Sequence, residues 1–297
     1  MATPPNRYGL TRNIPASVER TIRQRSKFGC VICRSAIYEY EHIEPGFVDC
    51  QTHDPDFMCL LCGLCHSKVT KNHLSKETVL REYKRISSDP NIKRPFGDID
   101  VSANHFTIFM GNNKFTASKS IISIDDQDIL RLDPPEDDGG PPLLSGVFYD
   151  DSGKEIFSIQ KNKWHGPLDA WDMEIVGNRI IIRTEKRRIA LDIALNPPNR
   201  ININHVSMNF EDIFISINDK IVVDRIEHNK KRSTSISNFE CDGSYSCMHL
   251  MTESYANLNK TKGYVAFADG DRFLIGKGAR RAKSGDISIK IEPLNDS

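Results

Sequence analysis

Cys30-Val-Ile-Cys33 and Cys62-Gly-Leu-Cys65 constrain this chain more than any other feature of its sequence. Two residues between thiolates let both sulfurs of a tight turn reach one ion, and two such pairs complete a tetrahedral zinc site. With all four positions filled by protein, that zinc is structural and has no open position at which to activate water. Metal binding of this type contributes ~10–16 kcal/mol in small peptides, enough to hold together a domain with little core. The chain carries eight cysteines in all. Its first ten residues, MATPPNRYGL, lack the apolar core of a signal peptide, so the expected location is the cytoplasm. In that compartment cysteines are expected as metal ligands or buried thiols rather than disulfides. Cys50 and Cys59 lie outside the paired spacing and read as core or loop thiols. Cys241 and Cys247 have no second pair beside them and carry no strong metal signal.

A length of 297 residues exceeds one small core and fits two domains, on a prior of ~100–200 residues each. No run reaches the ~18 apolar residues of a membrane helix. The formal net charge is zero, which does not argue for nucleic acid, but its distribution is uneven. Between residues 1 and 35, Arg7, Arg12, Arg20, Arg23, Arg25, Lys27 and Arg34 face only Glu19, a basic block able to meet phosphates. Arg20, Arg23 and Arg25, with Lys68 and Lys71, are the expected nucleic-acid contacts.

Residues 1–14 have no periodicity and are expected to form an arm. PASVERTIRQRS reads as a short helix with Ser17 as cap, Glu19 in the first turn and arginines towards its end. Ser75 caps a second helix, whose apolar face is Val79, Leu80 and Tyr83. The first domain therefore spans 15–86, a turn-rich linker 87–98, and a mainly-β domain 99–297. In the latter, Ile180/Ile182, Ile189/Leu191/Ile193, Ile201/Ile203, Ile213/Ile215 and Ile221/Val223 alternate at period two between turn residues. Sandwich, barrel and solenoid all remain open for it. DPPEDDGGPP, HNKKRSTSISN and GKGARRAKSGD are expected to be loops, and Trp164 and Trp171 anchors of the β domain.

The stretch FGCVIC, YEYEHIEP and HDPDFMCLLCGLCHSK resembles the HNH endonuclease family, in the subgroup whose ββα-metal core is pinned by a four-cysteine zinc. The resemblance covers roughly Pro15 to Tyr83 and stops at the β-rich remainder. It implies an α+β chain: a small zinc-pinned ββα-metal (HNH) domain followed by a larger mainly-β domain. It also implies His42 as general base, and Glu41 and His66 as ligands of a catalytic divalent metal, Mg²⁺ or a relative. Phosphodiester hydrolysis needs a water deprotonated near neutral pH, a task for histidine, and a hard cation to neutralise developing charge. One departure stands out. Where the family has an asparagine that ties down the loop carrying the base, this chain has Phe57. Asp56, Asp54 and His53 are the nearby candidates for that tether. His53 and His73 otherwise read as solvated loop residues.

The expectation is thus a metal-dependent endonuclease acting on DNA, by analogy in restriction or antiphage defence. The alternatives are a zinc-stabilised DNA-binding protein whose catalysis is impaired, and a nuclease switched on by a small molecule or protein at the β domain. One active site cuts one strand at a time, so double-strand cleavage would require a homodimer or sequential nicks. No membrane partner is expected.

Overall fold

In the computed structural model the described residues are 4–101, 106–227, 230–243, 246–252, 254, 265–269, 271–275 and 286–293. The chain divides into two compact units. The first comprises Met1–Gly97, His165–Ile175 and Arg183–Lys186, and the second comprises the rest.

In the first unit the order is α1 (Ala16–Arg25), β1 (Glu39–His42), β2 (Met58–Leu61), α2 (Gly63–Thr70) and α3 (Lys76–Ser88). α1 starts after Pro15 without a side-chain cap, so Ser17 is not the cap expected of it. Ser75 does cap α3, its hydroxyl accepting from the Thr78 N–H at 3.1 Å. β1 and β2 pair antiparallel, with Glu41 opposite Cys59 and His42 opposite Met58. All four residues of β2 are buried, and its two faces serve two cores. Met58 and Leu60 join Ile22 of α1, while Cys59 and Leu61 join Cys30, Cys62, Cys65 and Val79, Tyr83 and Ile86 of α3. A strand buried on both sides needs no alternation, which is why CLLC reads poorly by periodicity.

The second unit is built from long antiparallel runs. Arg188–Asn196, Arg200–Phe210, Ile213–Ile217, Ile221–Glu227 and Lys230–Ser237 follow one another as neighbours, and Asp286–Pro293 adds to the last. The alternation seen around Ile201, Ile213 and Ile221 falls on these strands, with Ile201, Ile203, Ile213, Ile215, Ile217 and Ile221 all buried. Thr107–Met110 joins the same sheet in parallel beside Arg200–Phe210. In another sheet Ser120–Ile124, Gln127–Asp133, Leu143–Tyr149 and Glu155–Gln160 run in antiparallel sequence.

This architecture corrects the expected α+β class. The chain is mostly β, with twenty-two strands against three helices among the described residues. A small self-standing ββα-metal domain is not evident. The N-terminal elements share their unit with residues 165–175 and 183–186, drawn from the middle of the expected β domain. Nor is 87–98 a free linker. Ser87 and Ser88 finish α3, the Lys93 carbonyl accepts from Arg34 Nε, and the Phe96 carbonyl accepts from the Ala36 N–H. HNKKRSTSISN, expected as a loop, supplies the strand Lys230–Ser237. Thr234 and Ile236, two residues apart and so on one face of the strand, are both buried, while Lys231 on the other face is exposed. Cys241 and Cys247, expected as thiols, form a disulfide across a Cα–Cα distance of 6.5 Å. GKGARRAKSGD has only its final Asp286 among the described residues.

Candidate functional site

The loop before β1 and the turn into α2 bring Cys30, Cys33, Cys62 and Cys65 together, their four sulfurs lying within 4.8 Å of one another. Cys62 is the N-cap of α2, its sulfur accepting from the Cys65 N–H. The Val31 N–H donates to the Leu60 carbonyl and ties the first pair to β2. Arg34 locks this loop from behind. Its buried guanidinium donates to the carbonyls of Ser26, Lys27, Gly29, Cys30 and Lys93. Burial lowers its pKa to about 10, still leaving it charged near neutrality. Burial likewise pushes the Cys33 thiol up to about 11 and raises Cys65. Cys62 moves down despite its burial, helped by the Cys65 N–H and the neighbouring thiols. A sulfur cluster that resists ionising in isolation ionises when a cation compensates the charge, so this group could hold a metal ion.

One strand away, β1 sends Glu41 towards α2. Its Oε2 lies 3.0 Å from His66 Nε2. Glu39, on the same side of the strand, approaches His66 Nδ1 at 3.9 Å. Burial raises the Glu41 pKa, while His66 and Lys76 pull against that rise. The Thr70 hydroxyl, one turn beyond, is taken up by the His66 carbonyl. Glu41 and His66 therefore converge, one oxygen and one nitrogen donor.

His42 ends β1, with its ring between Phe47 and His53 at centroid distances of 5.5 and 5.2 Å. Its Nε2 lies 3.0 Å from His53 Nδ1, and His53 Nε2 lies 3.0 Å from the Thr11 carbonyl. Burial, then the charges of His53, Arg12 and Lys76, push the His42 pKa down to about 4. The imidazole is thus neutral near pH 7 with a lone pair to offer. Lys76, in the first turn of α3, acts on both Glu41 and His42 and sits beside Gly46, where an added Cβ would lie 3.1 Å from its ammonium nitrogen. Arg12 lies over the Phe47 ring at 4.2 Å.

By sequence His53 is one of three tether candidates and otherwise a loop histidine, Arg12 is one member of a basic block, and Lys76 is unmarked. Their only signal is position near YEYEHIEP and the Ser75 cap. Phe57 is 43% exposed, and only its backbone is used, the carbonyl accepting from the Ile43 N–H. Of the expected substitutes for the missing asparagine, Asp56 pairs with Arg25 and Asp54 accepts from the Asp56 N–H, leaving His53 as the one that meets the base. His73 is exposed on the turn after α2.

The expected phosphate contacts separate. Lys68 and Lys71 are exposed at the end of α2. Arg25 is ion-paired to Asp56, and Arg20 lies over the Trp171 ring at 4.4 Å. Arg23 is 4% exposed; Asp172 grips its guanidinium in two places, with Glu174 and the Tyr40 hydroxyl alongside. Burial would lower its pKa, and Asp172 outweighs that, keeping it a structural cation rather than a free donor for phosphate. Trp171 belongs to the first unit and not to the β domain, whereas Trp164 is buried in the second and stacks on Phe157.

Within the second unit, two neighbouring concavities share Phe109 and Arg200, with volumes of about 420 and 540 Å³. Asn202 lines the first, and its buried Oδ1 has no hydrogen-bond partner. No described helix is long and apolar enough to cross a membrane. Compared with family models, with curated proteins and with solved structures, the chain matches none.

Proposed function

We propose that this chain is a metal-dependent endonuclease with catalytic residues of the HNH type, hydrolysing phosphodiester bonds in DNA. The observation that carries the reading is the meeting of Glu41 Oε2 and His66 Nε2 at 3.0 Å, beside a half-buried neutral His42 on the same strand. An oxygen and a nitrogen bound at ~2.1 Å on adjacent corners of an octahedron lie about 3.0 Å apart, so the pair fits a small divalent cation that keeps water and phosphate oxygens as its other ligands. Such a cation supplies Lewis acidity and a fixed orientation for the phosphate. Four thiolates suit zinc, and with no fifth place they make it a structural ion.

The chain's own groups then divide the work. His42 accepts the proton of the attacking water. Lys76 and Arg12, both felt at His42, balance the charge of the scissile phosphate. Burial is the main cause of the low basicity of His42, and a bound phosphodiester offsets the smaller part that those two cations add.

Supercoiled plasmid incubated with the full chain and Mg²⁺ or Mn²⁺ tests the proposal. Metal-dependent nicking should fall ~10²–10⁴-fold in His42→Ala, the usual contribution of a general base. Glu41→Ala and His66→Ala should raise the metal concentration needed. Nicking unchanged in His42→Ala, or a correctly metallated wild type that never nicks with or without an added small-molecule extract, sinks it.

A second reading keeps the nuclease and adds a switch. The unpartnered Asn202 oxygen in a groove beside Phe109 and Arg200 favours a small polar activator bound to the second unit. Nicking that stays silent until a small-molecule extract is added, and that Asn202→Leu abolishes, would support it.

A further inference from the structure

We propose that His53, seated on the backbone carbonyl of Thr11, is the positioning residue that selects the tautomer of His42, and that the N-terminal segment is thereby part of the site. Its catalytic meaning rests on the nuclease reading above; its structural core does not.

The positions of the protons follow from the contacts. A carbonyl only accepts, so the 3.0 Å contact between His53 Nε2 and Thr11 O requires the proton on His53 Nε2. A neutral imidazole carries one N–H, which leaves His53 Nδ1 with a lone pair. That lone pair lies 3.0 Å from His42 Nε2, which must then carry the His42 proton. With both rings neutral the chain has one solution: His42 Nδ1 is bare and free to accept a proton from water. Reverse the His53 tautomer and the Thr11 contact is lost, while the proton of His42 moves to Nδ1 and closes the base. Orientation of a catalytic imidazole by a hydrogen bond to its far nitrogen is worth several orders of magnitude where it has been removed elsewhere.

The segment that supplies Thr11 is not a free arm. Asn6 Nδ2 donates to the carbonyls of Phe47 and Cys50 at 2.6 and 2.7 Å, while its Oδ1 accepts from the N–H groups of Tyr8 and Leu10. Arg7 pairs with Asp49 at 2.8 Å, and Arg12 lies on the Phe47 ring that flanks His42. These contacts fasten residues 6–12 across the 46–53 loop, placing the Thr11 carbonyl where His53 needs it. Phe57, at the family's tether position, makes no such contact, and His53 does that work from four residues earlier.

The test uses the full, metallated chain labelled with ¹⁵N-histidine, His42 being assigned by the signal lost in His42→Gln. In wild type the His42 ring should show a protonated Nε2 and a bare Nδ1. In His53→Phe, which fills the ring's place without an acceptor, His42 should become a tautomer mixture. Nicking kcat should drop about 100-fold, the scale expected for a misplaced catalytic group, with KM little changed. His53→Asn places an amide oxygen near the lost Nδ1 and should recover at least about tenfold of that rate, whereas His53→Gln, with its polar atoms one bond farther out, should not. If His53→Phe loses its metal or melts early, the Asn and Gln pair carries the comparison alone. A wild-type His42 protonated on Nδ1 overturns the proposal, as does a folded His53→Phe that nicks at the wild-type rate, or equal rates for Asn and Gln. A wild type that shows the expected tautomer yet never nicks leaves the dyad standing and removes the nuclease.

Discussion

The two units solve the burial problem by different means. The second relies on isoleucine: Ile201, Ile203, Ile213, Ile215, Ile217 and Ile221 are buried on successive strands, and the ladders satisfy the backbone between them. The first places Cys30, Cys62 and Cys65 in its main core cluster and buries two guanidiniums, Arg23 and Arg34, each saturated with acceptors. Non-directional apolar contact dominates one, while the other depends on a few directional, high-stakes groups. The lesson is about failure. Damage to a sheet core is graded, and damage to a metal centre or a buried charge is close to all-or-none.

The largest expected effect comes from breaking the four-cysteine cluster, which could hold a metal ion. Chelation, or Cys65→Ser, should remove stabilisation on the order of 10 kcal/mol from the first unit alone. Hydrogen exchange read unit by unit checks this: amides of β1, β2 and α2 should lose protection while those of Arg200–Phe210 keep it. Uniform loss would erase the contrast between the units. Next comes the buried pair. Asp172→Ala leaves the Arg23 guanidinium without its bidentate partner and should cost about 3–5 kcal/mol by denaturant unfolding. The double variant Arg23→Met/Asp172→Leu should regain much of that loss, because no charge is then left stranded. A graded loss is expected in the second unit, where Ile215→Val should cost about 1 kcal/mol and leave the first unit's metal content untouched. The smallest effect is expected at the surface. Arg25 and Asp56 are ion-paired but 42% and 63% exposed, so Arg25→Ala should change stability by less than about 1 kcal/mol. A larger loss there would mean that the first unit depends on its rim as well as on its buried charges.

What could be seen in advance follows the range of the interaction. The two Cys-x-x-Cys pairs announce their cluster because two residues of spacing already place two sulfurs on one turn. The alternation from Ile180 to Val223 announces strands because side-chain period is a local property of an extended chain. Ser75 announces the start of α3 for the same reason. Lys230–Ser237 stayed hidden because its sequence is lysine, arginine, serine and threonine with a single isoleucine, and only pairing on both sides makes a strand of it. The α+β class failed through proportion: three helices stand against a large set of strands among the described residues.

The site divides along the same line. The residue types can be read from the chain alone: four cysteines at ligand spacing, a Glu41-His42 pair on one strand, and His66 just past the last cysteine. Tertiary structure alone decided which of them meet. Arg23 faces Asp172 across 149 residues, and His53 reaches His42 across 11 and Thr11 across 42. No spacing rule predicts such encounters, because they depend on how the loop after His42 folds back and on where the N-terminal segment lies over it. A hydrogen bond needs its partners within a few tenths of an ångström, and only the packed chain sets distances that finely.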